Sequence, residues 1–348
     1  MKAIALGALA SVFVCAAPVR AQELPRTELQ VVGGFSNLSA YQEYEQPFWT
    51  KTVPQLSKGQ VTARIKGLNE MGLKGPELLR LLGQGVIQFG TAPLSYFAAD
   101  NPINEAVDLA GISPDVKTAR AVTRAFEPVY AKHYSQLGNV KLLGVSTYPA
   151  QVLFCNAEIK SLADIKGKKV RTAGRTQSEF VQALGGSSVT MAFGEVVPAL
   201  QNKVVDCAIT GSLSGYSAKW YEVSTHLYAL PISWSQVLHA VNRKVWDGFD
   251  PALQSFLQEN METMINGIWD AAARQTQEGY DCNSGAAACP HDVKGNMTLV
   301  QPTQADRDLL RKITVETTLP KWAARCSGQC VADFNATIGQ VIGLSAAK

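Results

Sequence analysis

Apolar and polar residues follow the periods of strands and helices in a first block of the chain, up to about residue 90. A run beginning with Pro at its first position carries an apolar stripe and ends at Gly83–Gly85, which predicts a helix. The β-rich and alternating runs around it predict strands. The predicted strands are Glu28–Gly33, Phe48–Val53, Val61–Lys66 and Val86–Gly90, and the helix is Pro76–Leu82.

The same rhythm returns in a second block after about residue 150. The predicted strands are Val152–Cys155, Lys169–Thr172, Ser187–Met191 and Val204–Ile209, and the helices between them are Ser178–Leu184 and Glu195–Gln201. Strand–helix–strand units at this spacing pair in parallel through right-handed crossovers. The chain is therefore predicted to form two α/β units that separate near Val145–Ala150.

A long amphipathic segment follows these two blocks. Apolar residues recur at three- and four-residue spacing from Pro251 to about Tyr280, which predicts one helix. Roughly 30 residues at about 1.5 Å each give about 45 Å, enough to run across both units. We expect an α/β protein of two lobes with a long bracing helix, and one large doubly wound domain is the alternative.

The amino terminus has the pattern of a secretory signal. Met1-Lys2 precedes an apolar run from Ala3 to Ala17, and cleavage is expected after about Ala21. The remaining 327 residues have a formal charge of +1 instead of +3, because Lys2 and Arg20 leave with the signal. We expect an exported protein, and a near-neutral chain without basic runs argues against nucleic acid as a partner.

The six cysteines that follow the signal fall into two groups. Cys282, Cys289, Cys326 and Cys330 lie late in Gly/Ala/Ser-rich text, where export favours two disulfides over a metal site. We expect these bridges to fasten the carboxyl-terminal segment to the second lobe. Cys155 and Cys207 lie in predicted strands and are interpreted as buried free thiols, with a bridge between them as the alternative.

The sequence offers little sign of catalysis. The four histidines form no recognisable catalytic or metal-binding motif, and no GxGxxG, Walker A or HExxH pattern occurs. Gly211–Gly215 (GSLSG) resembles a nucleophile elbow but has Leu213 where the motif needs serine. We therefore expect a protein that is not an enzyme and uses no cofactor or metal.

Arg171 is the strongest candidate for a binding residue. It lies at the end of a predicted strand in Ser161–Gly174 (SLADIKGKKVRTAG), where the chain turns at the carboxyl edge of its unit. There its planar guanidinium can give two parallel hydrogen bonds to a carboxylate, which lysine cannot do. Arg175 is the alternative, but its place beyond the glycine favours exposure.

Three segments resemble one known family. SLADIKGKKVRTAG, then GGSSVTMAFGEVVPALQNKVVDCAITGS and, more weakly, LLRLLGQGVIQFGTAP are similar to the solute-binding proteins of TRAP (tripartite ATP-independent periplasmic) transporters, of the dicarboxylate-binding-protein (DctP) type. The resemblance implies a bilobal periplasmic-binding-protein-like fold. It also implies a periplasmic protein that binds a small organic acid in a cleft and delivers it to membrane permease subunits.

Alternatives to this function come from two other classes. A binding protein of the same fold can serve a sensor or signalling system instead of a permease, and a periplasmic enzyme can use the same cleft. The absence of a nucleophile–base pair or metal set in the sequence makes the enzyme the weaker alternative.

The resemblance also implies roles for single residues. Arg171 matches the family arginine that holds the ligand carboxylate, whereas Glu195 and Asp206 match residues of the fold. Thr210 stands where many members have asparagine, and Gln151 stands where sialic-acid binders have a second arginine. Because Gln151 is neutral, a monocarboxylate is favoured over sialic acid. Lys74 is a candidate for a second charge, with a solvent-facing position as the alternative.

The expected lobes follow from this fold. Lobe I comprises 25–148 and 236–275, and lobe II comprises 149–235 and 276–348. Ligand contacts are expected at strand ends and helix starts, from Phe35–Leu38, Gly75–Glu77 and Thr91–Ser95 of lobe I. The candidate contacts are Phe35, Asn37 and Thr91 in lobe I and Gln151, Arg171, Thr210, Ser212 and Trp234 in lobe II.

Overall fold

A computed structural model describes residues 23–73 and 75–348 of the chain. The expected signal peptide, residues 1–21, and the candidate Lys74 lie outside the described residues. Among the described helices, none combines the length and the apolar character that a membrane crossing needs.

The described strands form two mixed sheets. The strands are β1 Thr27–Gly33, β2 Val61–Gly67, β3 Phe89–Pro93, β4 Val140–Ser146, β5 Gln151–Cys155, β6 Lys169–Thr172, β7 Ser187–Thr190, β8 Cys207–Gly211, β9 His226–Ser233, β10 Val237–Asn242 and β11 Thr298–Val300. The first sheet has the order β2-β1-β3-β10-β4, and the second has the order β11-β9-β5-β8-β6-β7. β10 runs antiparallel to both its neighbours, whereas β6 runs parallel to β7 and β8.

Helices cover both sheets and connect them. The α-helices are α1 Val53–Leu56, α2 Pro76–Gln84, α3 Val116–Gln136, α4 Arg175–Ala183, α5 Val196–Gln201, α6 Ser212–Ser217, α7 Arg243–Asp247, α8 Pro251–Ser284, α9 Gln304–Ile313, α10 Leu319–Arg325, α11 Gly328–Ala336 and α12 Ile338–Ile342. Short 3-10 helices are Leu94–Phe97, Pro102–Asp108, Leu162–Ile165, Phe193–Glu195 and Trp220–Glu222, and π-helical turns are Ala40–Glu45, Phe48–Thr52 and Thr314–Thr318.

The chain passes between the sheets at two points in the sequence. β4 belongs to the first sheet and β5 to the second, and the chain returns between β9 and β10. The two crossing segments are hydrogen-bonded to each other, since the Tyr148 amide donates to the Trp234 carbonyl at 3.2 Å. This two-lobe α/β arrangement confirms the predicted fold class.

Helix α8 braces both lobes, as its apolar spacing predicted. The Trp269 indole donates a hydrogen bond to the Val145 carbonyl of β4 at 2.8 Å. About two turns further on, the Ser212 hydroxyl at the start of α6 donates to the Thr276 carbonyl at 2.9 Å. One helix is therefore fixed to the first sheet and to the second lobe.

Two predicted elements of the first lobe differ from the structure. Phe48–Val53 was predicted as a strand but is helical, because Tyr41, Phe48, Trp49 and Val53 turn one buried face inward at helical spacing. The strand predicted at Val86–Gly90 begins three residues later, at Phe89, where pairing with β1 and β10 starts.

The carboxyl-terminal helices pack on the side of the first sheet. Trp322 and Phe334 are buried in one apolar cluster with Phe126 and Tyr130 of α3. The expected boundary placed all of 276–348 in lobe II, so the packing of α10, α11 and α12 differs from that expectation. Apolar spacing predicts which face of a helix is buried, but it does not tell which lobe buries it.

All six described cysteines are paired. The two expected late bridges are present, as Cys282–Cys289 and Cys326–Cys330. Each joins near neighbours, seven and four residues apart, so neither fastens the carboxyl-terminal segment to lobe II. The interpretation of Cys155 and Cys207 as free thiols is wrong, because antiparallel pairing of β5 and β8 sets them opposite each other and they form a bridge.

Candidate functional site

Arg171 lies buried at the carboxyl end of β6, with 2% of the residue exposed. Its Nε and Nη2 atoms donate to the Met191 carbonyl at 3.2 and 3.0 Å, and Nη1 donates to the Ile209 carbonyl at 2.8 Å. A guanidinium has five N–H donors, so these three bonds fix its orientation and leave donors for another partner.

The charge of Arg171 is not neutralised by the described residues. No carboxylate among them forms an ion pair with it. Burial lowers the pKa of Arg171 to about 10, against the opposing influence of Tyr96 and Glu195. A buried cation without a partner is costly, and an anion that enters the site removes that cost.

A small cavity of about 30 Å³ lies against Arg171. Residues of both lobes and of the crossing segment line it. They are Phe35, Leu38, Pro93, Ser95, Tyr96, Tyr148, Gln151, Arg171, Ala173, Phe193, Thr210, Ser214 and Ser235. The cavity thus lies between strand ends and loops of both lobes, where two-lobed α/β proteins place their ligands.

Aromatic rings form the apolar walls of the cavity. The Phe35 ring of lobe I lies 5.3 Å from the Phe193 ring of lobe II and 6.4 Å from Tyr96. Phe193 in turn stacks on Trp220 at 5.6 Å, and the Arg171 guanidinium lies 6.0 Å above the Trp220 ring. The cation is therefore held by flat rings and carbonyls.

Polar side chains of the cavity have spare hydrogen-bonding capacity. The hydroxyls of Tyr148 and Ser95 are buried and have no partner among the described residues. Gln151 donates from Nε2 to the Pro149 carbonyl at 3.0 Å, which aims its amide along the crossing segment. These uncharged groups give the cavity wall hydrogen-bonding capacity beside the Arg171 charge.

The structure brings half of the predicted contacts together. Phe35, Gln151, Arg171 and Thr210 line the cavity. The other four candidates, Asn37, Thr91, Ser212 and Trp234, do not line it.

Three of these four have partners inside the protein. The Thr91 hydroxyl pairs with His239 at 3.2 Å, Ser212 donates to Thr276, and the Trp234 indole donates to the Ser113 carbonyl at 3.0 Å. Asn37 is half-buried at the edge of the loop.

Sequence reasoning missed Tyr96, Tyr148, Phe193, Ser214 and Ser235 of the cavity wall. Tyr148 and Ser235 lie in the two crossing segments, so the point where the chain changes lobes was the usable signal. Phe193 directly precedes the Gly-Glu of the second family-like segment. Tyr96 reaches the cavity from a 3-10 turn that no pattern in the sequence predicted.

A second arginine, half-buried, lies near this cleft. Arg325 of α10 forms ion pairs with Glu105, at 2.7 Å, and with Glu179 of α4. Burial lowers the pKa of Arg325, but its bonds and charge interactions with the two glutamates outweigh burial and raise it. This arginine therefore joins the 3-10 turn of lobe I to the first helix after Arg171.

A neighbouring cavity of about 20 Å³ is lined by Asp108, a half-buried acid. Both carboxylate oxygens of Asp108 accept backbone hydrogen bonds, from the Trp234 amide at 2.7 Å and the Ser235 amide at 3.0 Å. Burial raises the pKa of Asp108 to about 7. Asp108 thus holds the second crossing segment to the turn Pro102–Asp108.

The sequence matches a known family model and two curated relatives. The model for the bacterial extracellular solute-binding proteins of family 7 (DctP) matches residues 38–306. The 2,3-diketo-L-gulonate-binding periplasmic protein YiaO of Escherichia coli is 29% identical over 36% of this chain and 38% of its own length. The ectoine-binding periplasmic protein TeaA of Halomonas elongata is 23% identical over 63% of this chain and 67% of its own length.

Solved structures share the fold. A TRAP periplasmic solute-binding protein from Desulfovibrio salexigens with bound orotic acid has a TM-score of 0.79 at 18% identity and covers 90% of this chain and 99% of its own. DctP7 of Bordetella pertussis, which binds pyroglutamic acid, has the same values. DctPAm of Advenella mimigardefordensis, in complex with galactonate, has a TM-score of 0.79 at 16% identity, covering 91% and 99%.

These matches agree with the two-lobe fold. The family model covers well over half of the chain, and the similar folds are those of TRAP solute-binding proteins. The chain belongs to family 7 of the bacterial extracellular solute-binding proteins, the DctP family.

Proposed function

We propose that this protein binds a small organic acid between its lobes and delivers it to the membrane permease subunits of a TRAP transporter. The observation that carries the proposal is Arg171, a buried cation on the wall of a cavity between the lobes, without an ion-pair partner among the described residues. A ligand carboxylate supplies the missing charge and accepts the free guanidinium donors. The acids bound by the similar structures support this choice of ligand class.

Closure of the lobes explains how the site tightens around its ligand. We assign 25–148, 236–275 and the helices from Leu319 onward to lobe I. We assign 149–235 and 276–318 to lobe II. Phe35 and Phe193 meet across the cleft, with ring centroids 5.3 Å apart. When water leaves the cleft, the lower local dielectric strengthens the bond between Arg171 and the carboxylate.

The place of action follows from the amino terminus and the family. Residues 1–21 have the pattern of an export signal, with cleavage after about Ala21. In the periplasm the disulfides are stable, and the closed protein meets the permease at the membrane. The protein works as a carrier, since its cavity contains a binding group and lacks a nucleophile–base pair among the described residues.

A melting screen over organic acids tests this function. A ligand that binds only the folded cleft stabilises the protein by about 2.7 kcal/mol at roughly a hundredfold excess over its Kd. We expect a few carboxylic acids to raise the Tm, and their amides and esters to leave it unchanged. Hits confined to sugars or to uncharged amino-acid derivatives would contradict a carboxylate held by Arg171.

A further inference from the structure

Trp220 is the neighbour of Arg171 whose role the proposed function leaves unexplained. It is fully buried, and the carbon of the Arg171 guanidinium lies over its ring, 6.0 Å from the ring centroid. Trp220 does not line the cavity, whereas Arg171 does. The indole therefore packs on the guanidinium from within the protein and not from the cavity.

Other aromatic rings hold Trp220 in this place. Lys219, with a left-handed φ of 59°, follows α6 and starts the 3-10 turn Trp220–Glu222. Phe154 meets the Trp220 ring edge-on at 5.4 Å, and Phe193 stacks on it at 5.6 Å. The indole N–H is buried without a hydrogen-bond partner among the described residues. Packing fixes the ring, so what it offers to Arg171 is its flat surface.

The hydrogen bonds of Arg171 lie in the plane of its guanidinium. Three of its five N–H donors bind the carbonyls of Met191 and Ile209, and one donor remains on each Nη atom. Bonds in the plane fix the edge of the group but place nothing on its flat faces. A ring over one face resists tilting of the guanidinium, so the direction of the two remaining donors depends on Trp220.

The indole also acts on the charge of Arg171. Tryptophan has the most attractive face for a cation, and the attraction is stronger where water is excluded. Unlike the glutamates bound to Arg325, a ring face carries no net charge and occupies no N–H donor. Trp220 thus offsets part of the cost of burying the cation without competing with a carboxylate for it.

We propose that Trp220 is a positioning residue for Arg171: its indole face holds the buried guanidinium in one orientation and stabilises its charge, while two N–H donors stay free for a ligand. This inference rests on the proposed function, because Arg171 is the residue that we assign to the carboxylate. It implies that the arginine is already oriented before a ligand arrives, which lowers the cost of binding.

The Arg171 Nε–H group reports its own order without any ligand. Nuclear magnetic resonance of the isotope-labelled mature protein detects this proton, and its absence in Arg171→Lys assigns it. We expect Trp220→Leu to speed its exchange with water about 10-fold or more, because the face of the group is then uncovered. Trp220→Phe keeps a smaller ring and should speed the exchange by about threefold.

Trp49→Leu is the matched control. Trp49 is also a buried tryptophan held by aromatic rings, with Phe48 at 4.9 Å and Phe89 at 5.2 Å. The change removes the same indole from a core without a cation on it. Exchange of the Arg171 proton should stay within about twofold of the wild type.

Acetate and acetamide extend the test to binding, because they have almost the same shape and differ in charge. Titrated into the ligand-free wild type, acetate should shift the Arg171 signal and acetamide should not. The affinity for acetate should fall about 10-fold in Trp220→Leu and stay within about twofold in Trp49→Leu.

The outcomes separate the role of Trp220 from the function on which it rests. Unchanged exchange of the Arg171 proton in folded Trp220→Leu, or equal acceleration in Trp49→Leu, overturns the positioning role. Melting curves show whether each variant is folded, and if Trp220→Leu is not, unchanged exchange in Trp220→Phe overturns it instead. Acetate and acetamide that shift the wild-type signal equally contradict the proposed function, while the exchange rates still decide the role of Trp220.

Discussion

Two arginines near the cleft, Arg171 buried and Arg325 half-buried, differ in what neutralises them. Arg325 is bound to Glu105 and Glu179, so its two partners lie within the protein. Arg171 is bound to the carbonyls of Met191 and Ile209 and has no ion-pair partner among the described residues. Their pKa values shift in opposite directions, since burial lowers the pKa of Arg171 and the glutamates raise that of Arg325.

The difference separates a structural charge from a binding charge. A buried ion pair inside the protein is complete in the folded state, and breaking it leaves an unpaired charge. A buried arginine that only carbonyls hold is oriented but not neutralised, which leaves a site for an external anion. Burial alone therefore does not reveal the role of an arginine, but its set of partners does.

The largest expected effect is on binding at Arg171. Arg171→Ala should weaken binding of the acid that raises the Tm most in the melting screen by about 3–5 kcal/mol. The carboxylate of that acid would then be buried without a partner. Arg171→Lys should recover only part of the loss, since an ammonium lacks the planar pair of donors. Titration calorimetry measures both.

Arg175→Ala is the control for this prediction. Arg175 is exposed and lies outside the cavity that Arg171 lines. The affinity of Arg175→Ala for the acid should stay within a few fold of that of the wild type. Equal losses in the two alanine variants would mean that general positive charge, and not the buried guanidinium, holds the ligand.

The second effect is a loss of protein stability on substitution of Arg325. Arg325→Met should lower the free energy of unfolding by about 3–5 kcal/mol, because Glu105 and Glu179 would remain buried together. Arg171→Met should lower the free energy of unfolding of the ligand-free protein clearly less, since it leaves no buried charge without a partner. Urea unfolding of both variants gives the comparison, and a larger loss for Arg171→Met would reverse our assignment of the two roles.

The sequence predicted the anion site better than the ion pair. Arg171 was found because its strand ends in a turn at the carboxyl edge of a parallel unit, which is a local pattern. Arg325 lies far along the chain from both its partners, and no local spacing brings residues 105, 179 and 325 together. The same limit explains why Tyr148 and Phe193 were missed, since their place in the cavity depends on how the lobes meet.

The fold shows the same division between local and long-range information. Strand–helix–strand periodicity predicted β6, β7 and α8 within a few residues. It failed at Phe48–Val53, where an aromatic run suits a strand and a buried helix face equally well. Periodicity also could not assign α10 to α12 to a lobe, because an apolar stripe shows which face of a helix is buried but not which surface packs against that face.

A third effect concerns a region that lines neither charged site. The Cys282–Cys289 bridge closes seven residues at the end of α8. Replacing both cysteines by serine should lower the free energy of unfolding by about 2 kcal/mol on the chain-entropy account. Affinity for the acid should stay within about twofold of the wild type. Alkylation of these cysteines without reductant, in protein from an oxidising compartment, would show that the bridge is absent.

A pH dependence is also expected at Asp108. Like Arg171, Asp108 is held by backbone groups, and burial raises its pKa to about 7, above its value in the unfolded chain. Its contribution to stability is therefore full below about pH 4 and is lost as the pH rises to about 7. The loss is about 1.4 kcal/mol per pH unit for one group.

Asp108→Asn isolates this slope from the rest of the protein. The free energy of unfolding of the wild type relative to the variant should fall between pH 4 and 7 and then become constant. Urea unfolding at several pH values measures the difference. A constant difference across the range would show that Asp108 ionises in the folded protein as it does in the unfolded chain.

The central claim is that a ligand carboxylate completes the charge of Arg171. Titration calorimetry of the strongest-binding acid and of its primary amide, which has almost the same shape and no charge, tests it most directly. The account predicts that the wild type binds the acid at least about 100-fold tighter than the amide, and that Arg171→Met removes most of this difference. An amide that binds the wild type as tightly as the acid would contradict it.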